Sequence, residues 1–316
     1  MLPLLLLACR VEFGPPEGSG AAVGEAPETW LYTSIYEEVL ATMRPLWEAA
    51  LPDLRIEVYQ AGSEKVAQRF EAELAAGSSR ACVLASSDPA WFLDLAERDL
   101  LWPYLPPASA RMERRWLDPQ GRFSTLRVSL MVLASTQEAA PTAFRDLADP
   151  AWTGRVSSPD PLASGTAFTA WSALDAAYGD PWVQAARDNG LIAQGGNSSV
   201  LARMESGERP VGMILLENLL LKPEGPARPI FPADGAVAVA GPVAIPRGCP
   251  DLHAAERFVA WLLSDEAQAA IVAGGMHSPL PGVAPPEGAP PLDELVLFPT
   301  AAPVDADAFK ARWAGR

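Results

Sequence analysis

The stretch WLYTSIYEEVLATMRPLWEAALPDLRIEVYQAGSEKVAQRFEAELAAGSSRACVLASSDPA, residues 30–90, decides the fold class. Trp30-Leu31-Tyr32-Thr33 is a short β-prone run, and after Ser34-Ile35-Tyr36 the apolar residues Val39, Met43, Leu46 and Trp47 recur at helical spacing. Residues 54–59 alternate with the two-residue period of a strand. Ala61-Gly62-Ser63 opens a second helix carrying Val66, Phe70 and Leu74. Residues 81–85 are apolar throughout, as in a buried strand, and Asp88-Pro89-Ala90 starts a third helix with Asp88 as its N-cap. Strands alternating with helices predict an open, mostly parallel α/β sheet. Ligands of such sheets sit at the carboxyl ends of strands, which singles out loops 33–36, 61–63 and 86–88.

The alternation continues downstream. A strand over 129–135 lies where the chain can cross to a second lobe. That lobe contains a strand at Val156-Ser157, a helix over 167–177, a helix over 200–206 and a strand over 211–216. A strand over 237–245 returns to the first lobe, followed by a helix over 252–263 that buries Phe258, Trp261 and Leu262. The expected organisation is lobe 1 from 28–128 plus 242–290, lobe 2 from 129–241, and an extension over 291–316. Prolines at 279, 281, 285, 286, 290, 291, 299 and 303 prescribe an irregular path over the last forty residues, while Leu292, Leu295, Val296, Leu297 and Phe298 lay it on the folded body.

The 316 residues suffice for two domains, and 49% hydrophobic content allows a sizeable core. A formal charge of −15 without a Lys/Arg cluster argues against nucleic acid and anionic lipid surfaces as partners. MLPLLLLA followed by Cys9 resembles the end of a secretory signal with the lipobox of bacterial lipoproteins, so Cys9 is the expected lipidation site. Residues 10–27, rich in Gly, Pro, Ala and Glu, read as a linker between membrane and body. Cys82 and Cys249 remain. An exported location permits a disulfide, but their spacing fits two free thiols equally well. No Cys/His spacing suits a metal, and the histidines are only His253 and His277.

Ordered markers along residues 29–299 carry a family resemblance: Leu31-Tyr32-Thr33-Ser34 with Glu37-Glu38, Ser87-Asp88-Pro89-Ala90, Leu147-Ala148-Asp149-Pro150-Ala151-Trp152 followed by Thr153-Gly154-Arg155-Val156, Pro159-Asp160-Pro161 through Ser164-Gly165-Thr166-Ala167, Gly241-Pro242-Val243-Ala244-Ile245, and Ala260-Trp261-Leu262-Leu263 leading to Ser264-Asp265-Glu266-Ala267-Gln268. The chain resembles the periplasmic solute-binding proteins of ABC importers, in the branch of ferric-ion, phosphonate and sugar-phosphate binders. Cys82 stands where such proteins usually carry Asp. The resemblance implies a two-lobed periplasmic-binding-protein-like α/β fold with a hinge cleft. It further implies a monomer in the periplasm or at the cell surface, membrane-anchored through lipid alone, working with a permease and an ATPase and needing no cofactor. The same scaffold also serves ligand sensing for membrane kinases.

Within that cleft Ser164-Gly165-Thr166 precedes a helix. A simple N-cap accounts for these residues; in the resemblance they form an anion cradle, with backbone N–H groups and hydroxyls donating. Asn197, in Gly195-Gly196-Asn197-Ser198-Ser199, matches an anion-contacting Asn. Ferric relatives place adjacent tyrosines where this chain has Glu217-Asn218, and Tyr36 falls where some carry a His ligand. One phenol and one carboxylate make a poor ferric site, so a metal is not expected. Glu217 is instead suited to pair with an ammonium, as in 2-aminoethylphosphonate, or to accept hydroxyls of a sugar phosphate. Ser34, Tyr36, Ser87 and Asp88 form the opposite wall. Arg127, near the hinge, either neutralises the anion or faces solvent. A hydrolase built on Ser164 would need a nearby base. Both histidines fall in segments assigned to the other lobe, and no Gly-x-Ser-x-Gly elbow exists. The expected function is capture of a small anionic solute, not catalysis.

Overall fold

The computed structural model of the chain describes residues 28–299 and 305–315. The lipobox, Cys9 and the expected linker lie outside the described residues. The first half of the fold contains β1 (Glu28–Thr33), α1 (Glu37–Ala50), β2 (Arg55–Gln60), α2 (Ser63–Ala75), β3 (Ala81–Ala85), α3 (Pro89–Glu97) and β4 (Leu101–Trp102). Next come β5 (Ser124–Ser135), β6 (Val156–Ser158), α4 (Gly165–Tyr178), α5 (Asp180–Asp188), β7 (Ile192–Ala193), α6 (Asn197–Glu205), β8 (Val211–Leu215), α7 (Leu216–Leu220) and β9 (Arg228–Ile230). The chain ends with β10 (Val237–Pro246), α8 (Leu252–Leu262), α9 (Asp265–Ala273) and α10 (Ala306–Ala314).

One ten-stranded sheet runs in the order β2-β1-β3-β10-β5-β8-β6-β7, with β4 and β9 attached off this path. Pairing is parallel at each end, among β2, β1 and β3 and among β8, β6 and β7. The long strands β10 and β5 sit between the two ends, antiparallel to each other and to their outer neighbours. Two parallel α/β lobes are thus joined by two crossing strands, the geometry of a hinge.

Helices cover both faces of the sheet and generate three cores. The largest, with Trp47, Phe258 and Trp261, continues across the hinge to Met204 and Ile214. A second, with Phe144, Trp171, Phe309 and Trp313, underlies the far lobe. The third groups Tyr32, Phe70, Trp91 and Phe92 beneath the first lobe. Phe298 is buried, and the preceding Leu297 forms a parallel bridge with Ala236.

Three details depart from the sequence expectation. Strand β5 begins at Ser124, ahead of residue 129, because Ser124, Thr125, Arg127 and Ser129 interrupt the apolar run although every one of them is buried. Helices α4 and α6 begin at Gly165 and Asn197, earlier than expected, so their first turns take in the candidate residues Gly165, Thr166 and Asn197. Cys82 on β3 and Cys249 after β10 are joined by a disulfide with their Cα atoms 4.8 Å apart, which settles the choice against free thiols.

Candidate functional site

A cavity of about 170 Å³ opens between the lobes, lined by Ser34, Tyr36, Gly62, Ser63, Ser87, Arg127, Ala163, Ser164, Thr166, Gly196, Asn197, Ser198, Leu215 and Glu217. It has room for on the order of a dozen water-sized groups, the scale of a small solute. Ser34, Tyr36, Ser87, Ser164, Thr166, Asn197 and Glu217 are brought together from both lobes. Gly165 is not on the wall. A Cβ there would lie 2.8 Å from the Asp88 Cβ and 2.9 Å from the Ser87 carbonyl, so its small size serves lobe-to-lobe contact.

The walls are built mainly from helix starts. Tyr36 is the N-cap of α1, Gly62 of α2, Ser164 of α4 and Gly196 of α6. Backbone N–H groups of a first helical turn have no partner within the helix, and the aligned peptide dipoles add partial positive charge. Four such ends border one cavity and offer it backbone donors. Asp88 contributes differently: its carboxylate accepts from the Trp91 N–H at 3.1 Å, the N-cap expected of it, and it is not a wall residue.

Local bonds fix the wall side chains. The Ser34 hydroxyl accepts from the Ser87 N–H at 3.0 Å, tying the loops after β1 and β3. The Ser164 hydroxyl accepts from the Ala167 N–H at 3.4 Å and lies 3.0 Å from the Thr166 hydroxyl. Asn197 donates to Thr166 Oγ1 at 3.2 Å and accepts from the Leu215 N–H at 3.1 Å. Ser164 is therefore an N-cap as well as a wall residue, and Asn197 is a strut between α4 and β8 that still faces the cavity.

Arg127 does not face solvent. It is 2% exposed on crossing strand β5, where the cavity meets the hinge. Its Nη2 donates to Ser87 Oγ at 2.6 Å and to Ser34 Oγ at 3.3 Å, and its Nε donates to Met276 Sδ at 3.0 Å. Its Nη1 is buried without a partner. Gly241 on β10 leaves room for this group, since a Cβ there would lie 2.6 Å from Nη1. Burial pulls the Arg127 pKa down, with Glu217 and then Tyr36 opposing, and a guanidinium remains charged throughout.

Glu217, at the start of α7, is the one acid on the wall. Its Oε1 accepts from the Ser129 hydroxyl at 2.6 Å, while Oε2 is buried without a partner. Burial pushes its pKa up to about 7 against the lowering effects of Ser129, its own backbone N–H and Arg127. The Tyr36 phenol donates to Asn218 Oδ1 at 3.1 Å, and burial, reinforced by Glu217, raises its pKa so that it stays protonated. No histidine lines the cavity; His277 is buried elsewhere, with Nε2 2.9 Å from the Pro290 carbonyl. Among the described residues no group of three or more His, Cys, Asp or Glu side chains could hold a metal ion, and no helix is long and apolar enough to cross a membrane.

Gly62, Ser63, Ala163, Gly196, Ser198 and Leu215 also line the cavity, beyond the residues expected there from the sequence. The loop at 61–63 and the turn at 195–199 were signals for four of them. Met276, Ser129 and Gly241 support the charged groups from behind the wall, and nothing in their local sequence marks that role.

Two lobes, crossing strands and a cleft between them that many polar side chains line define a hinge-type solute-binding protein. The chain belongs to the bacterial extracellular solute-binding proteins, whose family model matches residues 31–277. That membership agrees with the expected location outside the cytoplasm. Solved structures that share the fold include the following three. The periplasmic binding protein AfuA from Actinobacillus pleuropneumoniae, with exogenous fructose-6-phosphate bound, is 22% identical with a TM-score of 0.80, over 91% of this chain and 98% of that one. Iron-bound HitA from Pseudomonas aeruginosa is 19% identical with a TM-score of 0.79, over 91% and 98%. The substrate-binding protein of an ABC transporter from Agrobacterium tumefaciens is 18% identical with a TM-score of 0.78, over 91% and 94%. No curated protein sequence matches this chain.

Proposed function

We propose that the protein captures a small anionic solute, phosphonate or phosphorylated, and delivers it to the permease and ATPase of an ABC-type importer. The observation that carries this reading is Arg127, a buried guanidinium on the wall of a cavity ringed by four helix starts, whose Nη1 has no partner within the protein. An anion placed there would receive charge-assisted hydrogen bonds in a site shielded from water. Glu217 Oε2 lacks a donor on the same cavity, which favours a solute that also carries an ammonium or hydroxyl group. Lobes of 28–128 plus 242–290 and of 129–241 would close on it as a monomer held to the membrane by lipid at Cys9.

A ferric ion is the weaker reading. It needs several hard anionic oxygens, whereas the one phenol and one carboxylate available stand beside a fixed guanidinium, and the phenol is held protonated. Calorimetry against inorganic phosphate, 2-aminoethylphosphonate and hexose phosphates tests the proposal. Binding of at least one is expected. Silence for all three, with tight Fe(III) binding, would overturn it.

A further inference from the structure

Helix α10 lies beyond the residues matched by the family model, yet it touches both lobes. Its apolar face is fixed to the second lobe: Phe309 meets Phe168 with ring centroids 5.5 Å apart, and Trp313 meets Trp171 at 4.9 Å. Both aromatic side chains are buried, and Arg312 forms an ion pair with Asp175 of α4 at 2.6 Å. From this anchored helix Lys310 passes the Phe168 ring, 5.4 Å from its centroid, and reaches the first lobe, where its Nζ lies 3.0 Å from Glu64 Oε1. Glu64 follows Ser63 in the first turn of α2, so the acid it engages is attached to the cavity wall.

We propose that α10 is a strap across the cleft, with Lys310 the affinity-determining residue that ties the second lobe to Glu64 of the first and favours the closed state. An ion pair between two lobes exists only when they are together, so its free energy enters the closing equilibrium in full. Exposed pairs are weak largely because two long side chains must be ordered. Here the Glu64 and Lys310 side chains are 16% and 34% exposed, and the lysine is already confined between helix and ring. The two groups also act in opposite directions on the buried Asp88 of the first lobe, Glu64 raising its pKa and Lys310 lowering it.

The test requires no added solute, so it stands apart from the anionic reading. Spin labels at the exposed helical positions Ala49→Cys on α1 and Ala185→Cys on α5, with Cys9→Ser, report the interlobe distance in the full ligand-free chain. Lys310→Met and Glu64→Gln should each move the closed-to-open ratio roughly two- to fivefold toward open. The double variant should go no further than either single one. The charge swap Glu64→Lys with Lys310→Glu should return the distribution toward that of the parent. Unchanged distances in both single variants, or a swap as open as they are, would overturn the proposal.

Discussion

Replacing Arg127 by Met separates a ligand-binding role from a structural one, because the two predict opposite effects on stability. The guanidinium is buried at the hinge, with three contacts to neutral acceptors and none from Nη1. Without ligand it therefore bears a desolvation penalty that Ser34, Ser87 and Met276 only partly offset, and a flexible apolar side chain of similar length removes that penalty. Ligand-free Arg127→Met should match the parent within about 1 kcal/mol, or exceed it. With an anion bound, Nη1 makes a hydrogen bond between charged partners, worth about 1.5–3 kcal/mol. Affinity should therefore fall roughly 10- to 160-fold. Titration calorimetry with phosphate, paired with urea unfolding of the ligand-free protein, measures both quantities. Arg127→Lys should recover part of the affinity, since an ammonium keeps the charge but cannot reach both serines and the ligand in the same plane. A marked loss of ligand-free stability with unchanged phosphate affinity would refute the argument and make Arg127 a structural tie.

Glu217→Gln should change the pH dependence of stability. A carboxyl raised from 4.5 to about 7 holds its proton in the folded state after the unfolded chain has lost it, so the ligand-free parent loses stability as pH rises from about 4.5 to about 7. The Gln variant should equal the parent near pH 4.5 and exceed it by about 3 kcal/mol above pH 7; parallel stability–pH curves would contradict this. Gly165→Ala places a Cβ against Asp88 and the Ser87 carbonyl only when the lobes are together. Apparent affinity should drop roughly 5- to 150-fold for every solute, and unaltered affinity would show that the lobes close elsewhere. The Cys82–Cys249 bridge spans 167 residues of sequence. Its removal by Cys82→Ala with Cys249→Ala should lower unfolding free energy by about 2–5 kcal/mol in urea titrations, with reductant acting on the parent alone.

What could be read from the chain follows from which forces are local. The period-two run at 54–59 and the helical spacing of Val39, Met43 and Trp47 reflect side chains facing one core, and both elements appear where expected. The N-cap at Asp88 was legible because its bond spans three residues. Strand β5 was legible only from 129 onward, because Ser124, Thr125 and Arg127 break up the apolar run formed with Leu126 and Val128, although all five are buried. Arg127 shows the limit most clearly. A single arginine in a strand carries no sign of which face it occupies, and its burial depends on Gly241, Ser87 and Met276, distant in sequence. The disulfide and the crossing of α10 to Glu64 are likewise consequences of tertiary approach. The place of Gly165 in the loop before α4 was legible, but its task was not: its missing side chain accommodates the facing lobe.

The same cavity holds two groups that want different things, and this bears on how closure depends on solute. Arg127 Nη1 needs an acceptor, and Glu217 Oε2, when ionised, needs a donor. In the ligand-free closed state neither is satisfied, and unmatched buried polar groups disfavour that state against an open one in which water reaches them. A solute carrying both an anion and a donor removes both deficits at once. A simple anion removes one and adds negative charge near Glu217, whose protonation must then follow. An isolated metal cation supplies no acceptor to Arg127 and is repelled by it. Closing should therefore be most favourable for the bifunctional solute, with proton release from Glu217 when its donor is an ammonium. Calorimetric heats of 2-aminoethylphosphonate binding at pH 6.5 should accordingly vary with the ionisation enthalpy of the buffer in the parent, and that Glu217-dependent component should vanish in Glu217→Gln.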